Sequence, residues 1–309
     1  MQARTLRIGT RGSPLALAQA HEVRARLMAA HGLPEDAFEI RIYKTTGDAI
    51  QDRPLAEVGG KGLFTKEIEE GLIAREIDLA VHSMKDMQTH LPDGLGIGAV
   101  LPREDVRDAF ISLTHPTLAA LPEGAVVGTS SLRRQAQVKR LRPDVKVVGF
   151  RGNVQTRLRK LSEGVADATL LACAGLNRLG MADRITAPIA TEDLLPAVAQ
   201  GAIAIEIRSD DAETVRFVAP LNHEETALCV TAERAFLTRL EGSCRTPIAG
   251  LAELDAGTLT LRGKVFLPDG AACFEITREA PAGAAAALGT TTADALLELG
   301  AEAILARSL

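Results

Sequence analysis

Arginine residues stand at three predicted strand-to-helix corners of the chain. The corners cover residues 10–13, 128–134 and 150–153, and Arg157 follows on the third helix. Free N–H groups at the start of a helix favour anions, and an arginine can bind a carboxylate or phosphate through two parallel hydrogen bonds. In an open α/β sheet, such corners line the crevice where ligands bind. Together they predict a cleft for an anionic ligand, although capping residues and solvated arginines would explain any single corner better.

Basic charge is concentrated around the second and third corners. Residues 129–160 carry ten basic side chains and one acid, a local charge of +9 in a chain of net charge −5. The acidic remainder argues against a general polyanion binder, and the aromatic content of 3% argues against a platform that stacks nucleic-acid bases. We expect the basic side chains outside the corners to be solvated, namely Lys139, Arg140, Arg142, Arg159 and Lys160.

Two glycine-rich segments bear on whether the anion is a nucleotide. Residues 59–62 lack the serine or threonine and the spacing of a P-loop, and we expect them to belong to a mobile loop. Residues 94–98 are not followed by a predicted helix, as a dinucleotide fingerprint would be. Several arginines without a P-loop favour a ligand that bears several carboxylates over a nucleoside triphosphate.

Asp86 follows the apolar strand predicted at 77–82. A carboxylate beside a cleft rich in arginine is held ionised, and it could stabilise a cation or transfer a proton. The alternative is a turn or capping aspartate. His82 and His90 share no metal-ligand spacing with Asp86, so we expect no metal site, and we expect His82 to be a satisfied buried histidine.

Cys244 differs from the other three cysteines because it lies in a flexible loop, residues 242–247, next to Arg245. Exposure and an adjacent cation lower the pKa of a thiol and make it a nucleophile. An ordinary loop cysteine is the alternative. We expect Cys173, Cys229 and Cys273 to be core residues, and the absence of any CxxC pair in the sequence argues against a disulfide framework or a zinc site.

Alternating strands and helices must position these residues. Ser13 and Pro14 predict the start of a helix over 14–30. Further helices are predicted at 64–75, 132–141 and 154–161, between strands at 6–9, 38–43, 77–82, 125–128, 145–149, 168–172 and 202–207. Two such blocks of about 100 residues each predict two doubly wound α/β domains.

The last 90 residues follow a different pattern. Asn222 and Glu225 predict a capping box at the start of a helix that Gly242 ends. Strands near 248–251, 259–266 and 272–276 and a helix over 293–306 complete a smaller predicted α+β unit, with a loose loop or helix entry at 280–287. No window approaches 18 uninterrupted apolar residues and no apolar signal core follows Met1, so we expect a cytoplasmic protein with reduced cysteines.

Seven segments, in order along the chain, resemble the porphobilinogen deaminase (hydroxymethylbilane synthase) family. They are residues 11–16, 58–64, 80–86, 127–134, 151–154, 174–180 and 240–244. Departures are small. Met87 and Gln88 replace a small apolar residue and a proline often seen there, and Ser243 replaces a common glycine.

The resemblance implies a fold of three domains. Residues 1–101 with 197–219 and residues 102–196 would form two α/β domains like those of periplasmic binding proteins, with the substrate cleft between them. Residues 220–309 would form the C-terminal α+β domain that carries the cysteine. The family also suggests a monomer.

The resemblance further implies a transferase of tetrapyrrole and haem biosynthesis. It condenses four porphobilinogen molecules, with release of ammonia, into hydroxymethylbilane, and its primer is a dipyrromethane cofactor bound to Cys244 by a thioether. Asp86 would protonate the leaving amine and balance positive charge. The other implied contacts are Lys85, Thr129, Ser131, Arg133, Arg134, Arg157 and Arg178 to the cofactor, and Arg11, Ser13 and Arg151 to the substrate.

A non-catalytic two-lobed binding protein for a polycarboxylate is the alternative function. It would share the fold and the arginines. A reactive loop cysteine would have no use in such a receptor, and no export signal is recognised in the sequence.

Overall fold

A computed structural model of the chain describes residues 5–49, 62–242 and 246–305. The described chain divides into two compact units. The first holds residues 5–49, 62–104 and 202–227, and the second holds residues 105–201, 228–242 and 246–305. The division into three domains stays a prediction. Among the described residues, no helix is both long enough and apolar enough to cross a membrane.

Thirteen strands are found in the described chain. In chain order they are β1 (Leu6–Arg11), β2 (Phe38–Tyr43), β3 (Leu79–Ser83), β4 (Leu95–Val100), β5 (Asp108–Ser112), β6 (Val126–Gly128), β7 (Lys146–Val148), β8 (Ala168–Ala172), β9 (Ala187–Pro188), β10 (Ile203–Arg208), β11 (Ile248–Asp255), β12 (Thr258–Phe266) and β13 (Cys273–Pro281).

The main helices of the described chain alternate with these strands. They are α1 (Pro14–His31), α2 (Lys66–Ile73), α3 (Leu132–Leu141), α4 (Val154–Ser162), α5 (Cys173–Arg178), α6 (Ala212–Val218), α7 (Glu224–Arg239), α8 (Ala285–Leu296) and α9 (Glu302–Leu305). A single helical turn, Thr46–Ala49, precedes α2.

The two five-stranded sheets share one pattern. The first has the order β2-β1-β3-β10-β4 and the second the order β7-β6-β8-β5-β9. In the first sheet, β1 runs parallel to β2 and β3, and β10 runs antiparallel to β3 and β4. In the second, β6 runs parallel to β7 and β8, and β5 runs antiparallel to β8 and β9. Helices join the parallel strands, which confirms the predicted doubly wound α/β class.

Helix α1 shows why the sequence folds this way locally. The Ser13 hydroxyl accepts a hydrogen bond from the Ala16 N–H at 3.3 Å, Pro14 takes the first helical position, and Gly32 ends the helix with φ of 63°. The predicted cap is therefore confirmed. The buried stripe of α1 includes Val23 and Leu27, which pack against one face of the first sheet. Helix α2 packs against Ile77 and Ala80 through Ile68 and Leu72.

The C-terminal segment forms an antiparallel sheet of the order β11-β12-β13, with α8 packed on it. The turn between β12 and β13 is closed by a hydrogen bond from the Gly270 N–H to the Leu267 carbonyl, at 2.9 Å. Gly270 has φ of 76°, a conformation that favours glycine. Phe236 of α7 is fully buried and packs closely on Gly250 and Gly263.

Several local predictions need correction. The capping box is wrong: the Asn222 side chain accepts the Val100 N–H, and α7 begins at Glu224 with His223 accepting the Thr226 N–H. The terminal helix begins at Ala285 rather than at residue 293, and of the two alternatives for residues 280–287 the helix entry is confirmed. A break at Gly300, with φ of 103°, separates the helical segments that follow. Strands β4, β5 and β9 were not predicted.

Candidate functional site

One cavity of the first unit lies at the carboxyl ends of β1 and β3. Asp86, Arg11 and Ser13, which the sequence predicts as site residues, all line it. The remaining lining residues are Leu15, Ala16, Gln19, Phe64, Thr65, Val81, His82 and Ser83. Strand β1 carries Arg11 at its last position, and β3 leads directly into the turn Met84–Asp86 that carries Asp86. The sheet therefore brings together residues that are more than 70 positions apart in sequence.

Arg11 and Asp86 form the charged centre of this cavity. The guanidinium Nη1 of Arg11 lies 3.9 Å from Oδ2 of Asp86, and both side chains keep partial access to solvent. The guanidinium also lies over the Phe64 ring, 4.3 Å from its centre, which holds the arginine by a cation–π contact. The Arg11–Asp86 distance is too long for a hydrogen bond, so the contact is an ion pair on the cavity wall.

Gln19 and Ser83 fix the wall of the same cavity. The Gln19 amide donates to the Ser83 hydroxyl at 2.8 Å, and that hydroxyl lies 3.0 Å from the Gln19 carbonyl oxygen. Gln19 was not predicted as a site residue, although it is the polar residue on the otherwise apolar buried stripe of α1. Lys85, a predicted cofactor contact, is half-buried in the turn beside Asp86.

The corner before α3 carries the predicted contacts Thr129 and Ser131. Ser131 caps α3 by accepting the Arg134 N–H at 3.4 Å, and the Thr129 hydroxyl accepts the Ser131 N–H at 3.2 Å. Both hydroxyls therefore shape the helix start. Gly128 precedes them with no room for a side chain, because a Cβ there would lie 2.5 Å from the Phe150 ring.

Arg133 and Arg134 are almost fully buried around Asp108. Arg133 Nη1 lies 2.7 Å from Asp108 Oδ2, and Arg134 Nη2 lies 2.6 Å from Oδ1. The two guanidiniums also donate to the carbonyls of Leu195 and Leu170, at 2.8 and 3.1 Å. Asp108 was missed because it opens β5, a strand that the sequence did not predict. One carboxylate facing two guanidiniums leaves this cluster with a net positive charge.

The electrostatics of the cluster favour charged side chains despite its burial. Burial alone would raise the pKa of Asp108, but the charges and hydrogen bonds of Arg133 and Arg134 outweigh it and hold that pKa well below its usual range. Burial in turn lowers the pKa of Arg133, an effect that Asp108 opposes. Gln200 donates a further hydrogen bond to Asp108 Oδ1 at 3.0 Å.

The third corner, before α4, carries Arg151 and Arg157, both half-buried. Asn153 caps the helix by accepting the Thr156 N–H at 2.9 Å. Gly152 has φ of 123°, a conformation that side chains rarely adopt, and its carbonyl accepts a hydrogen bond from Arg157 Nε at 2.9 Å. Arg178, at the end of α5, donates to the Gly201 carbonyl at 3.0 Å.

The basic side chains expected to be solvated behave differently from one another. Arg159 is exposed beside Glu163, and Arg140 is also exposed, as predicted. For Arg142 and Lys139 the prediction is wrong, because both donate hydrogen bonds to carbonyl groups: Arg142 to Leu118 and Leu121, and Lys139 to Val145. Lys160 is half-buried and donates to the Arg151 carbonyl.

The cysteines divide as follows. Cys173 and Cys229 are buried, as predicted, and Cys273 is only half-buried. Burial raises the pKa of the Cys173 thiol to about 12, which makes it a poor nucleophile. Cys244 lies outside the described residues, as do residues 59–61 of the predicted mobile loop.

Comparison with known proteins gives a consistent family assignment. The family described as "Porphobilinogen deaminase, dipyromethane cofactor binding domain" matches residues 6–216, and "Porphobilinogen deaminase, C-terminal domain" matches residues 227–298. The porphobilinogen deaminase of Paracoccus denitrificans (strain Pd 1222) is 60% identical over 94% of this chain and 93% of its own length. The chloroplastic porphobilinogen deaminase of Pisum sativum is 56% identical over 96% of this chain and 79% of its own. Among solved structures, the methionine binding protein MetQ is 13% identical, with a TM-score of 0.45, over 70% of this chain and 89% of its own.

Proposed function

Because the chain belongs to the porphobilinogen deaminase family, it condenses four porphobilinogen molecules into hydroxymethylbilane, and we propose that Asp86 is its catalytic carboxylate. The observation that supports this role is the placement of Asp86 on a cavity 3.9 Å from Arg11. A carboxylate can act both on a leaving amine and on a developing cation. The non-catalytic receptor is set aside, since the relatives that match most of the chain are porphobilinogen deaminases.

The resident cofactor of this family is dipyrromethane, which bears carboxylates on two pyrrole rings. The side chains near Asp86 and at the two corners fit such a group, because they are ammonium, hydroxyl and guanidinium donors and the Asp108 cluster carries surplus positive charge. When bound, the cofactor supplies the pyrrole carbon to which the first substrate is added. We propose that Cys244 holds it by a thioether and that its carboxylates are bound by Lys85, Thr129, Ser131, Arg133, Arg134, Arg157 and Arg178.

The substrate carries an acetate, a propionate and an aminomethyl group. We propose that Arg11, Ser13 and Arg151 bind its carboxylates, with each charge-assisted hydrogen bond contributing about 1.5–3 kcal/mol. Phe64 restricts the Arg11 side chain, so little rotamer entropy is lost when the arginine binds a carboxylate. The proposal that Asp86 acts on the aminomethyl group is supported by the 3.9 Å separation between Asp86 and Arg11, which would bind a carboxylate of the same substrate.

Asp86 then acts on the substrate in two ways. When the aminomethyl group of the substrate is neutral, Asp86 protonates it as the C–N bond breaks. In the carboxylate form it balances the positive charge that develops on the pyrrole nitrogen as ammonia leaves. Asp86→Asn retains size and hydrogen bonding but cannot ionise, so both roles are lost while binding remains.

The experiment compares the turnover of Asp86→Asn, Asp86→Glu and Asp93→Asn. Asp93 is an exposed aspartate of the same unit and serves as the matched control. We expect Asp86→Asn to lose turnover while still binding pyrroles, and Asp86→Glu to retain weak turnover, since a displacement near 1 Å can cost about a hundredfold in rate. Intact-mass spectra after addition of porphobilinogen would reveal partly grown chains. Parental turnover by Asp86→Asn would refute the assignment.

We propose further that the enzyme is cytoplasmic and monomeric. The cellular site follows from the biosynthetic reaction, and the oligomeric state follows from the family resemblance. Light scattering from the purified protein measures its mass in solution, and a dimer mass would contradict the second proposal.

A further inference from the structure

Three ionisable side chains lie together in the first unit, just beneath the cavity that Asp86 lines. They are His82 of β3, Glu206 of β10 and Glu69 of α2, with exposures of 5%, 0% and 3%. His82 Nε2 lies 2.9 Å from Glu206 Oε2. The register of the two strands explains the contact: Glu206 pairs with Ala80 and Ala204 with His82, so both side chains lie on the sheet face that α2 covers.

The cluster is costly for the fold. Among the described residues, neither Oε1 of Glu206 nor Oε1 of Glu69 has a hydrogen-bond partner. A buried carboxylate without full hydrogen bonding destabilises the folded state, and apolar side chains of similar volume would pack there at less cost. No set of three His, Cys, Asp or Glu residues in the described chain is arranged to hold a metal ion, so metal binding does not explain the cluster.

A buried carboxyl group resists ionisation, and a negative charge nearby adds to that resistance. Burial raises the pKa of Glu69 and the negative charge of Glu206 raises it further, against the opposing effects of Thr65, His82 and Gln88. Glu69 is therefore the member that most readily stays protonated. Glu206 is the carboxyl group that contacts His82 Nε2. Arg208, on the same face of β10, bonds instead to the carbonyls of Leu72 and Ile77 and to Asp211.

His82 connects this buried cluster to the chemistry, since it lines the cavity together with Asp86 and Arg11. Each addition breaks one C–N bond, forms one C–C bond and breaks one C–H bond at the pyrrole carbon that is attacked. An alkyl amine is protonated at neutral pH, because its pKa is near that of lysine, about 10.4. A substrate that arrives as an ammonium departs as ammonia without a proton from Asp86, so the Asp86 carboxylate remains to take the C–H proton.

We propose that His82, held by Glu206, accepts this proton from Asp86 and returns Asp86 to the carboxylate form before the next substrate arrives. The proton then passes from His82 to solvent, where it converts the released ammonia to ammonium, so that atoms and charge balance over each addition. His82 thus acts through Asp86 as a positioning residue and does not itself react with the substrate. The role rests on the proposed function of Asp86.

The variants that test this role are His82→Gln and Glu206→Gln, with His21→Gln on the exposed face of α1 as the control. Glutamine at position 82 can still donate an N–H to Glu206 but cannot accept a proton, so it separates packing from proton transfer. Rapid-quench intact-mass spectra count the pyrroles added to the holoenzyme over time. We expect His82→Gln to add the first pyrrole at the parental rate and later ones about a hundredfold more slowly, the size of a lost proton-transfer contribution.

A purely structural role would slow every addition equally, and that result would overturn the proposal, as would parental rates throughout. The proposed role of Asp86 has its own test, because a parental rate of first addition by Asp86→Asn would refute that role. A second measurement does not require turnover. NMR spectra are recorded from protein with labelled histidine rings, and the His82 signal is identified as the one that is missing in His82→Gln. We expect Glu206→Gln to change the ring signals of His82, because it replaces the carboxylate that lies 2.9 Å from Nε2. A His82 signal unaffected by Glu206→Gln would refute the pairing.

Discussion

Asp108 is the buried anion that balances the charge of two buried guanidiniums in the second unit. Its carboxylate is completely buried and faces two guanidiniums at 2.7 and 2.6 Å. Asp108→Asn conserves the shape of the side chain and removes its charge. Arg133 and Arg134 would then remain buried with their carbonyl partners but without an anion, and each carries a full positive charge beside the other.

The expected loss of stability follows from this geometry. Removing one partner of a buried ion pair costs about 3–5 kcal/mol, because the remaining charge is desolvated without compensation. In Asp108→Asn two positive charges remain without an anion. We therefore expect the free energy of unfolding to fall by at least the lower end of that range, about 3 kcal/mol. The displaced guanidiniums should also impair loading of the cofactor, since Arg133 and Arg134 are proposed to hold its carboxylates.

The pH dependence gives a second, independent signature. The pKa of Asp108 is lowered in the folded state, so the unfolded chain binds a proton at Asp108 before the folded chain does. The stabilisation by Asp108 is thus fully present above the ordinary aspartate pKa, about 3.9, and is lost as the pH falls below it. In Asp108→Asn this acid-dependent part of the unfolding free energy should disappear.

Urea unfolding at neutral and acidic pH measures both effects. Asp144→Asn is the control, because Asp144 also pairs with an arginine through two short contacts but lies in an exposed position. We expect a much smaller effect from that substitution. If Asp108→Asn were as stable as Asp144→Asn, or if its unfolding retained the parental slope at acidic pH, the buried cluster would not have the energetic role derived from its geometry.

Three further predictions concern the ligand-binding residues and the cysteines. Cys244→Ser should show the bare sequence mass where the parent carries an adduct, and it should unfold at lower urea concentration, because a ligand bound to the folded state stabilises it; an unmodified but active parent would contradict this. Arg151→Leu should impair cofactor loading or early elongation in a porphobilinogen assay, whereas Arg159→Leu, exposed beside Glu163, should not, and equal damage would refute the assignment of the corner to the site. Burial raises the pKa of the Cys173 thiol to about 12, so Cys173 should resist alkylation in the native protein and react in urea. Equal labelling in both states, measured by mass spectrometry, would contradict this.

The sequence predicts most of the elements that position the site, because local signals agree with the fold there. The bounds of α3 and the cap of α1 are confirmed, since Ser131 and Ser13 cap the starts of the two helices. Asp86, Arg11 and Ser13 meet on one cavity for the same reason, as each directly follows or ends a recognisable strand. Asn222 shows the limit: it has the residue type of a cap, but the Val100 N–H of another element competes for its side chain.

The buried charge clusters could not be predicted, because the partners are distant in sequence. Asp108 lies 26 residues from Arg134, and His82 lies 124 residues from Glu206. A charged residue in a short strand normally indicates the solvent face. The residue types of Glu206 and Asp108 therefore predict exposure, whereas both side chains are buried. The missed strand β5 has the same cause, since its first residue is an aspartate that only the two arginines make compatible with the interior.

The positions of the two acids in the sheets point to a common physical origin. Each five-stranded sheet contains one strand, β10 or β5, that runs antiparallel to its neighbours on both sides. Glu206 lies on β10 and Asp108 on β5, and both are fully buried. A central strand has neighbours on both edges and is covered on both faces, so a buried carboxyl group there needs a hydrogen-bonding or charged partner. In each unit that partner lies at the end of a parallel strand, where the ligand-binding corners also lie. The partner of Glu206 is His82 in β3, and the partners of Asp108 are the two arginines of α3, which follows β6. The antiparallel strand thus fixes the side chains of the corner next to it, and substitution of either acid should affect ligand binding as well as stability.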